Sequence, residues 1–311
     1  MPEAKDRTEP QPATASRPVA AMSTLAGAEH RQRSEWRRSW NRFARYRPAL
    51  FGLGFVSVLL LFALLPAVFA PHSPTEIFPG TRNSPPSSDF WLGVDNAGRD
   101  MLSRIIFGTR TALIVGVFAT GISILIGMII GSIAGYFGGW TDALLSRIVD
   151  TVMAFPILAL LVVLASVLGP SIATITIIIG TTFWTGYARV VRADMLSVRE
   201  RDFVLAARSI GVRTPRLIVR HMLPNILGPV IVLATLGIGG IIITEAALSF
   251  LGLGVQPPTS SWGRSLSEAR PHIIRYPHLA IAPGVMITLT VLAFNVIGDG
   301  LRDALDPRQQ E

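Results

Sequence analysis

The amino-acid sequence predicts an all-α integral membrane protein with six transmembrane helices. Half of its 311 residues are hydrophobic and only 15% are charged, whereas a soluble domain usually has about a quarter of its residues charged. A helix needs about 20 apolar residues to cross a hydrocarbon core of roughly 30 Å. Five runs of comparable or greater length contain no Asp, Glu, Lys or Arg: Pro48–Thr75, Thr111–Thr141, Thr151–Ala188, Asn225–Thr244 and Tyr276–Gly298.

The third of these runs is too long for a single span. As one helix it would extend about 57 Å at 1.5 Å per residue, nearly twice the thickness of the hydrocarbon core. The Leu-Gly-Pro-Ser sequence at 168–171 provides the break that folds it back, because proline and glycine interrupt helices. The predicted spans are therefore 49–70, 111–135, 148–168, 171–190, 226–250 and 279–298.

The positive charges lie mostly on one side of this topology. An even number of spans places both termini on one side, and 21 of the 28 Lys and Arg residues fall in the segments of that side. Excess Lys and Arg marks the cytoplasmic face, so we expect both termini in the cytoplasm of a cell-membrane protein. The net charge of +8 then follows from topology, and no nucleic-acid partner is expected. With no cysteine and five scattered histidines, we expect no metal site and no cofactor on this chain.

The N-terminal third divides into two predicted parts. Residues 1–33, rich in Pro, Ala, Thr, Glu and Arg, predict a disordered cytoplasmic leader. Residues 34–110 then hold an interfacial helix, the first span and an external loop. In the helix, Trp36, Trp40 and Phe43 recur at helical spacing among arginines, a pattern typical of a helix lying at the lipid surface; a solvated charged leader is the alternative.

The external loop should be irregular over 71–97, because five prolines interrupt it. Apolar residues at helical spacing after the loop predict a short amphipathic helix ahead of the second span. They are Met101, Leu102, Ile105 and Ile106.

The second span carries glycines four residues apart, at Gly127, Gly131, Gly135 and Gly139. Small residues at this period line one helical face and allow a neighbouring helix to approach closely in lipid. The pattern predicts a packing surface. Either another helix of this chain or a helix of a partner subunit could occupy it.

The segment Phe203–Ile226 is basic although it lies between two apolar runs, with four arginines of its own. At about 2.5–3.5 kcal/mol each near the bilayer centre, these arginines would cost at least roughly 10 kcal/mol, so the segment cannot span. Gly211 permits a positive-φ turn, Thr214 and Pro215 are typical of a helix start, and Pro224 is expected to end that helix.

These signals predict two short cytoplasmic helices that meet at a corner. The first would expose an apolar stripe that the segment cannot bury alone, so it needs a protein partner. The predicted stripe comprises Leu196, Phe203, Ala206, Ala207 and Ile210.

The string AARSIGVRTPRLIVRHMLPN, at 206–225, resembles the cytoplasmic EAA loop of ABC-importer permeases. Ala206, Ala207, Gly211, Leu223 and Pro224 stand at the positions of that motif. Two positions depart from it: Leu205 replaces the motif's glutamate, and His221 stands where isoleucine is frequent. Three more strings resemble the C-type permease of dipeptide, oligopeptide and nickel importers, so that the resemblance runs from about residue 34 to 308. They are LGVDNAGRDMLSRIIFGTRTAL, EAALSFLGLGVQPPTSSWGRSL and NVIGDGLRDALDPR.

The resemblance implies a MetI-like type I importer fold at 111–301 with an added N-terminal span, and a cytoplasmic tail at 302–311. It implies that the loop at 194–224 couples to an ATP-binding subunit. The implied coupling residues are Ala206, Ala207, Gly211, Arg213, Leu217, Leu223 and Pro224. The implied partners are a homologous B-type permease, two ATP-binding subunits (or one present twice), an external substrate-binding protein and membrane lipid.

The chain itself has no means of binding ATP phosphates through a P-loop, because that motif needs a lysine and the only lysine is Lys5. ATP and Mg are therefore expected on partner subunits, and no catalytic residue is predicted here. Polar residues within spans are candidates for the substrate pathway, here Glu245 and Asn295. Gly239 is a third candidate, because it allows close helix contact or bending in span five, which the resemblance implies contributes to the pathway. For Glu245 the alternatives are pairing with an arginine or capping a helix.

The expected cargo is short peptides, carried into the cytoplasm. Nickel or a nickel chelate is the alternative within the same family, because the resemblance covers both. A stand-alone ion-coupled secondary transporter is the alternative from another class, although such a carrier does not need the small-residue corner at 206–224.

Overall fold

The computed structural model describes residues 40–305. Within that range the chain is helical and contains no β-strand, and residues 70–99 are irregular, as predicted for the loop. The helices are α1 (Arg47–Leu64), α2 (Pro66–Phe69), α3 (Met101–Phe137), α4 (Gly139–Met153), α5 (Ile157–Leu168), α6 (Ile172–Gly180), α7 (Trp184–Arg199), α8 (Asp202–Ser209), α9 (Thr214–Leu217), α10 (Leu223–Phe250), α11 (Trp262–Ala269) and α12 (His278–Leu305). A π-helical turn, Ile218–Met222, joins α9 to α10, a 3-10 turn, Arg270–His272, follows α11, and residues 40–45 are also helical.

Four helical units are long and apolar enough to cross a membrane: α1, α3, the continuous unit Thr214–Phe250 and α12. A fifth candidate consists of α4 and α5, which meet at 79°. The predicted all-α membrane class is confirmed. By helix length and apolarity, residues 40–305 therefore contain four or five candidate spans rather than the six predicted.

The difference lies in the predicted fourth span at 171–190. It is divided between α6 and α7, which are separated by residues 181–183. The uncharged part of the sequence ends at Ala188, and α7 continues with Arg189 and Arg192. This second half is therefore amphipathic rather than uniformly apolar, and it packs its apolar side on α3.

The short amphipathic helix predicted ahead of the second span is not a separate element. Met101 is the first residue of α3, which continues without a break to Phe137. The Asp100 carboxylate caps this helix by accepting hydrogen bonds from the Ser103 backbone N–H (2.8 Å) and hydroxyl (2.6 Å). The buried apolar residues predicted there are the first turns of the long helix.

Helices α3 and α7 pack in parallel along the predicted glycine stripe. A β-carbon added at Gly127 would lie 2.5 Å from Tyr187 Cβ, and one at Gly135 would lie 2.6 Å from Met195 Cβ. Between them, a β-carbon at Gly131 would lie 2.5 Å from the carbonyl oxygen of Ala188. The surface that these glycines provide is therefore occupied by a helix of this chain.

Gly139, the fourth glycine of the predicted stripe, does not belong to it. Its φ is +52°, and it is the first residue of α4. A β-carbon added there would have no atom of the described residues within 4 Å. The stripe ends where α3 ends at Phe137. The four-residue spacing of the glycines continues to Gly139, two residues beyond the end of α3.

A cluster of five charged side chains, which we call the cap cluster, joins the long loop to α11. Arg104 donates to the carboxylates of Asp95 (2.8 Å) and Glu268 (2.9 Å), and Arg99 bridges the same two carboxylates at 2.7 Å each. Arg264 completes the cluster through Glu268 at 2.9 Å. Because Asp95 and Arg104 are buried, their charges need these partners.

Two neutral hydrogen bonds hold the same region together. The indole N–H of Trp262 donates to the carbonyl of Ile105 (3.0 Å), and the Thr111 hydroxyl donates to the carbonyl of Ser260 (2.8 Å). The first turns of α3 and the start of α11 therefore form one unit. This unit lies at the opposite end of α3 from Tyr136 and the predicted coupling loop.

The N-terminal helical residues differ from the predicted lipid-surface helix. Phe43 is buried, and it packs with Ala49 of α1 and with Ile297 and Ala304 near the C-terminal end of α12. Trp40 is exposed, and Trp36 lies outside the described residues. The aromatic side of this segment is thus partly covered by protein. Gly300 has no side chain, which leaves room for the Phe43 ring.

Candidate functional site: the coupling segment

The predicted corner is formed by residues 194–224, which we call the coupling segment. The C-terminal part of α7 leads into α8, and Gly211 then adopts φ +81° in the turn that leads to α9. Such a φ favours glycine, because a β-carbon would be strained there. Thr214 is the first residue of α9 rather than its N-cap, which is Arg213.

Pro224 does not end the second short helix. Helix α9 passes through the π-helical turn into α10, so that Thr214–Phe250 is one helical unit of 37 residues. In the π turn the Leu223 N–H donates to the Ile218 carbonyl, five residues earlier. Pro224 follows this turn directly, and the chain continues as helix through it although its ring nitrogen has no N–H to donate. The coupling segment is therefore directly continuous with a membrane-crossing helix.

The interior of the corner is built from residues of both its arms. Val204 and Ala207 of α8 belong to the same buried cluster as Leu217 and Met222 of the second arm. The cluster continues into α7 through Met195, its neighbour Val191 and Val198. These contacts fix the angle between the two arms without any partner.

The outer surface of α8 carries the apolar residues that the interior does not use. Ile210 is 81% exposed, and Phe203, Leu205 and Ala206 are also exposed. The apolar stripe that the sequence predicted to stay uncovered without a partner is thus exposed at Phe203, Ala206 and Ile210 and half-buried at Leu196. Only Ala207 of that stripe is buried, because the buried face is centred on Val204, which the prediction omitted.

The seven predicted coupling residues divide into two groups. Ala206, Gly211, Arg213 and Pro224 are exposed and Leu223 is half-buried, so their side chains or backbone are available to a partner. Ala207 and Leu217 are buried inside the corner. Any role of these two in coupling must come from shaping the corner, since their side chains cannot reach another subunit.

A basic concavity of about 780 Å³ lies beside the turn. Arg213, Arg216 and Arg220 form no ion pair with any acidic residue in the described part of the chain. Uncompensated guanidinium groups attract carboxylates and phosphates. The complete lining is Ile210, Gly211, Val212, Arg213, Arg216, Arg220 and His221.

Tyr136, near the end of α3, contacts the coupling segment at three points, and no sequence pattern indicated its role. Its carbonyl accepts from Arg199 Nη1 (3.2 Å), and its ring lies 5.5 Å from the guanidinium carbon of Arg208. Its hydroxyl donates to the Thr214 hydroxyl at 3.4 Å. Tyr136 thus ties α7, α8 and α9 to α3.

The pathway candidates are less accessible than predicted. Glu245 is 1% exposed, accepts a 2.7 Å hydrogen bond from the Ser249 hydroxyl, and lies against the Ser261 side chain. The carboxylate is therefore enclosed by protein in this structure, and the expectation that it faces the pathway stays a prediction. Its alternatives, an arginine partner or helix capping, are not observed in the described residues either, since the two serines supply its hydrogen bonds.

The other two candidates, Gly239 and Asn295, lie within α10 and α12 respectively. A β-carbon at Gly239 would lie 3.4 Å from Val291, so this glycine contacts α12, whereas one at Gly240 would meet no neighbour within 4 Å among the described residues. Asn295 of α12 is half-buried. Gly239 therefore contacts α12 one helical turn from Asn295, whereas Glu245 contacts Ser249 and Ser261 instead.

The amino-acid sequence matches a known family over most of the chain. Residues 127–311 match the family described as the binding-protein-dependent transport system inner membrane component. The chain belongs to this family. Residues 34–86 also match the N-terminal TM domain of oligopeptide transport permease C. The first span therefore belongs to this additional N-terminal domain.

Several curated permeases resemble this one over nearly their full length. The dipeptide transport system permease protein DppC of Alkalihalophilus pseudofirmus is 42% identical over 89% of this chain and 91% of its own. The glutathione transport system permease protein GsiD of Pectobacterium atrosepticum is 41% identical over 89% of this chain and 92% of its own. GsiD of Escherichia coli is 42% identical over the same share of this chain.

The fold of this permease also matches a solved structure. A chain described as an amino acid ABC transporter with histidines aligns with a TM-score of 0.51 over 65% of this chain and 94% of its own. At 16% identity, this likeness supports the fold alone. The permease is thus a multi-pass inner-membrane protein of the MetI-like ABC-importer type.

Proposed function

We propose that this permease moves short peptides into the cytoplasm as one of two membrane subunits of an ABC importer. Its relatives named for dipeptide and for glutathione transport support a peptide cargo, since glutathione is itself a short peptide. The identity of about two fifths over nearly the whole chain favours this cargo over nickel.

The continuity of the coupling segment with α10 is the observation that carries the proposed mechanism. A partner that moves the corner moves the beginning of a 37-residue helix, whose length is about 55 Å at 1.5 Å per residue. The exposed Ala206, Ile210 and Gly211 provide the contact surface, and the buried contacts of Val204 with the second arm make the corner rigid. Such a lever suits the rigid-body motions that switch access between two sides.

Energy and partners come from other chains in this proposal. ATP and Mg bind two ATP-binding subunits, or one present twice, which seat the coupling segment in the cytoplasm. A homologous B-type permease completes the pathway, and an external binding protein delivers the peptide on the side of the cap cluster. Both termini are cytoplasmic, consistent with the excess of Lys and Arg on that side. This subunit catalyses no reaction.

The experiment is co-purification of the permease with its partners, followed by ATP hydrolysis in nanodiscs. We expect ATPase activity to rise when the external binding protein is added with di- or tripeptides, and not with nickel salts. Stimulation by nickel without peptide would contradict the peptide assignment. A purified chain that transports alone, without ATP-binding subunits, would contradict the coupling mechanism.

A further inference from the structure

The turn at residues 273–276, just before α12, exposes two neighbouring isoleucines. Ile274 is 98% exposed and Ile273 is 49% exposed. The turn is nevertheless wound, since the backbone N–H groups of Arg275 and Tyr276 both donate to the His272 carbonyl (3.1 and 2.8 Å). Two adjacent isoleucines held outward by an ordered turn indicate an environment that accepts apolar side chains.

The depth of this turn can be read from α1. Leu279, five residues after Ile274, shares a buried cluster with Leu59 and Ala63 of α1. Beyond that level the chain continues to expose apolar side chains as far as Phe69. The six helical steps from Ala63 to Phe69 would rise about 9 Å. The five residues from Leu279 back to Ile274 cover a comparable distance along the membrane normal if they are similarly wound. Ile274 thus lies at a depth where α1 and α2 still present an apolar surface.

The charges beside the isoleucines fit the lipid headgroups. Arg270 and Arg275 are exposed, and neither is paired with an acidic residue within residues 40–305. The Arg275 guanidinium carbon lies 5.6 Å from the centre of the Tyr276 ring. Tyrosine and arginine are enriched where spans leave the hydrocarbon, and guanidinium groups bind phosphate oxygens through paired hydrogen bonds.

We propose that residues 270–276 form an interfacial lipid anchor in the leaflet opposite the coupling segment. Ile273 and Ile274 insert at the boundary between acyl chains and headgroups, while Arg270 and Arg275 bind phospholipid phosphates. The anchor fixes the height at which α12 enters the bilayer. It does not depend on the cargo, so it stands or fails separately from peptide import.

The absence of cysteine in the chain allows one site to be spin-labelled. Ile274→Cys is labelled with a nitroxide in the complete complex, in nanodiscs of phosphatidylethanolamine and phosphatidylglycerol. Collisions with oxygen, which partitions into lipid, are compared with those of a water-soluble nickel chelate. Val68→Cys, exposed on α2, serves as the lipid standard, and Ser88→Cys, exposed in the long loop, as the water standard. The complex with the unaltered chain gives the background from partner subunits.

We expect the ratio of oxygen to nickel collisions at position 274 to approach the Val68→Cys value and to exceed the Ser88→Cys value. If the nickel chelate reaches the label freely, and only the external binding protein protects it, the turn is a protein-docking site and the lipid-anchor proposal is overturned. An immobilised label that excludes both reagents assigns the turn to a subunit contact and also overturns it. If Ile274→Cys does not assemble, Ile273→Cys gives the same comparison.

The phosphate contacts have their own arm of the experiment. Replacing both arginines, Arg270→Gln with Arg275→Gln, is expected to shift the label at 274 toward the water standard in anionic nanodiscs. An unchanged collision ratio removes the phosphate contacts from the proposal.

Discussion

The hydroxyl group of Tyr187 occupies the space in which a side chain at Gly237 would begin. A β-carbon at Gly237 would overlap the Tyr187 hydroxyl and lie 3.2 Å from Cζ of the same ring. Tyr187, on α7, is itself buried, and its Cβ is the atom that approaches Gly127 of α3. One tyrosine therefore fills the junction of α3, α7 and α10, and glycine is required on two of the three helices.

The first prediction is that Gly237→Ala destabilises the permease and that Tyr187→Phe relieves much of the effect. Overpacking a close-packed interior costs about 1–3 kcal/mol, and removing the hydroxyl removes the atom that overlaps. The apparent melting temperature of the purified complex is measured for both single variants and the double variant. Additive losses in the double variant would argue against the contact.

The second prediction compares two glycines of the same helix. Gly131→Ala places a methyl group against the Ala188 carbonyl and 2.9 Å from Val191 Cβ, so α3 and α7 must separate. Gly121→Ala meets no neighbour within 4 Å in the described chain, and alanine favours helix over glycine by roughly 1 kcal/mol. We expect a lower melting temperature for Gly131→Ala and an equal or higher one for Gly121→Ala. Equal effects would show that the parallel α3–α7 contact is not the stability determinant.

Much of the α3–α7 contact and of the corner could be predicted from the sequence, because both have short-range signals. The four-residue glycine spacing gives the contact face of α3, and Gly211 gives the turn of the coupling segment. These features depend on helical periodicity and on backbone conformation, which neighbouring residues largely determine.

What the sequence could not provide depends on tertiary partners. Glu268 joins Asp95 through Arg104 across more than 160 residues of chain, and no local pattern indicates that pairing. Likewise, the choice between Val204 and Ile210 as the buried side of α8 depends on where α7 and the second arm lie. Both faces of that helix are apolar, so periodicity alone did not identify the inner one.

The third prediction concerns the cap cluster. Arg104→Met leaves the buried Asp95 carboxylate with one fewer cationic partner, and breaking a buried ion pair typically costs about 3–5 kcal/mol. The control is Arg189→Met, because Arg189 and its partner Asp150 are both about half exposed, and such pairs contribute about 0–1 kcal/mol. Thermal unfolding of the complex is expected to separate the two variants clearly. A loss as large for Arg189→Met would contradict the ranking by burial.

The fourth prediction separates contact from shape in the coupling segment. Ile210→Asp changes an exposed side chain, so the chain should fold normally. If Ile210 is a contact residue, its loss should weaken association with the ATP-binding subunits by about 1–2 kcal/mol, or roughly 5- to 30-fold. Ala207→Glu instead buries a carboxylate in the corner and should lower the stability of the permease itself.

The measurement is affinity for the ATP-binding subunits together with the yield of folded permease. Asp303→Asn, an exposed change on α12 at the same side of the membrane, is expected to leave both unchanged. Normal association and uptake by Ile210→Asp would exclude the exposed face of α8 from the interface. Normal yield of Ala207→Glu would contradict the observed burial of that position.

The fifth prediction follows from the burial of Glu245 between two serines. Glu245→Gln retains an oxygen that can accept from Ser249 and an amide that can donate to Ser261, so assembly and uptake should stay close to those of the unaltered complex. Glu245→Leu removes both options, and leaving buried hydroxyls unsatisfied costs about 1–3 kcal/mol each. Uptake and melting temperature are measured for both variants. Loss of uptake by Glu245→Gln in a fully assembled, thermally stable complex would mean that the negative charge itself acts in transport, and that α10 opens this carboxylate to the pathway during the cycle.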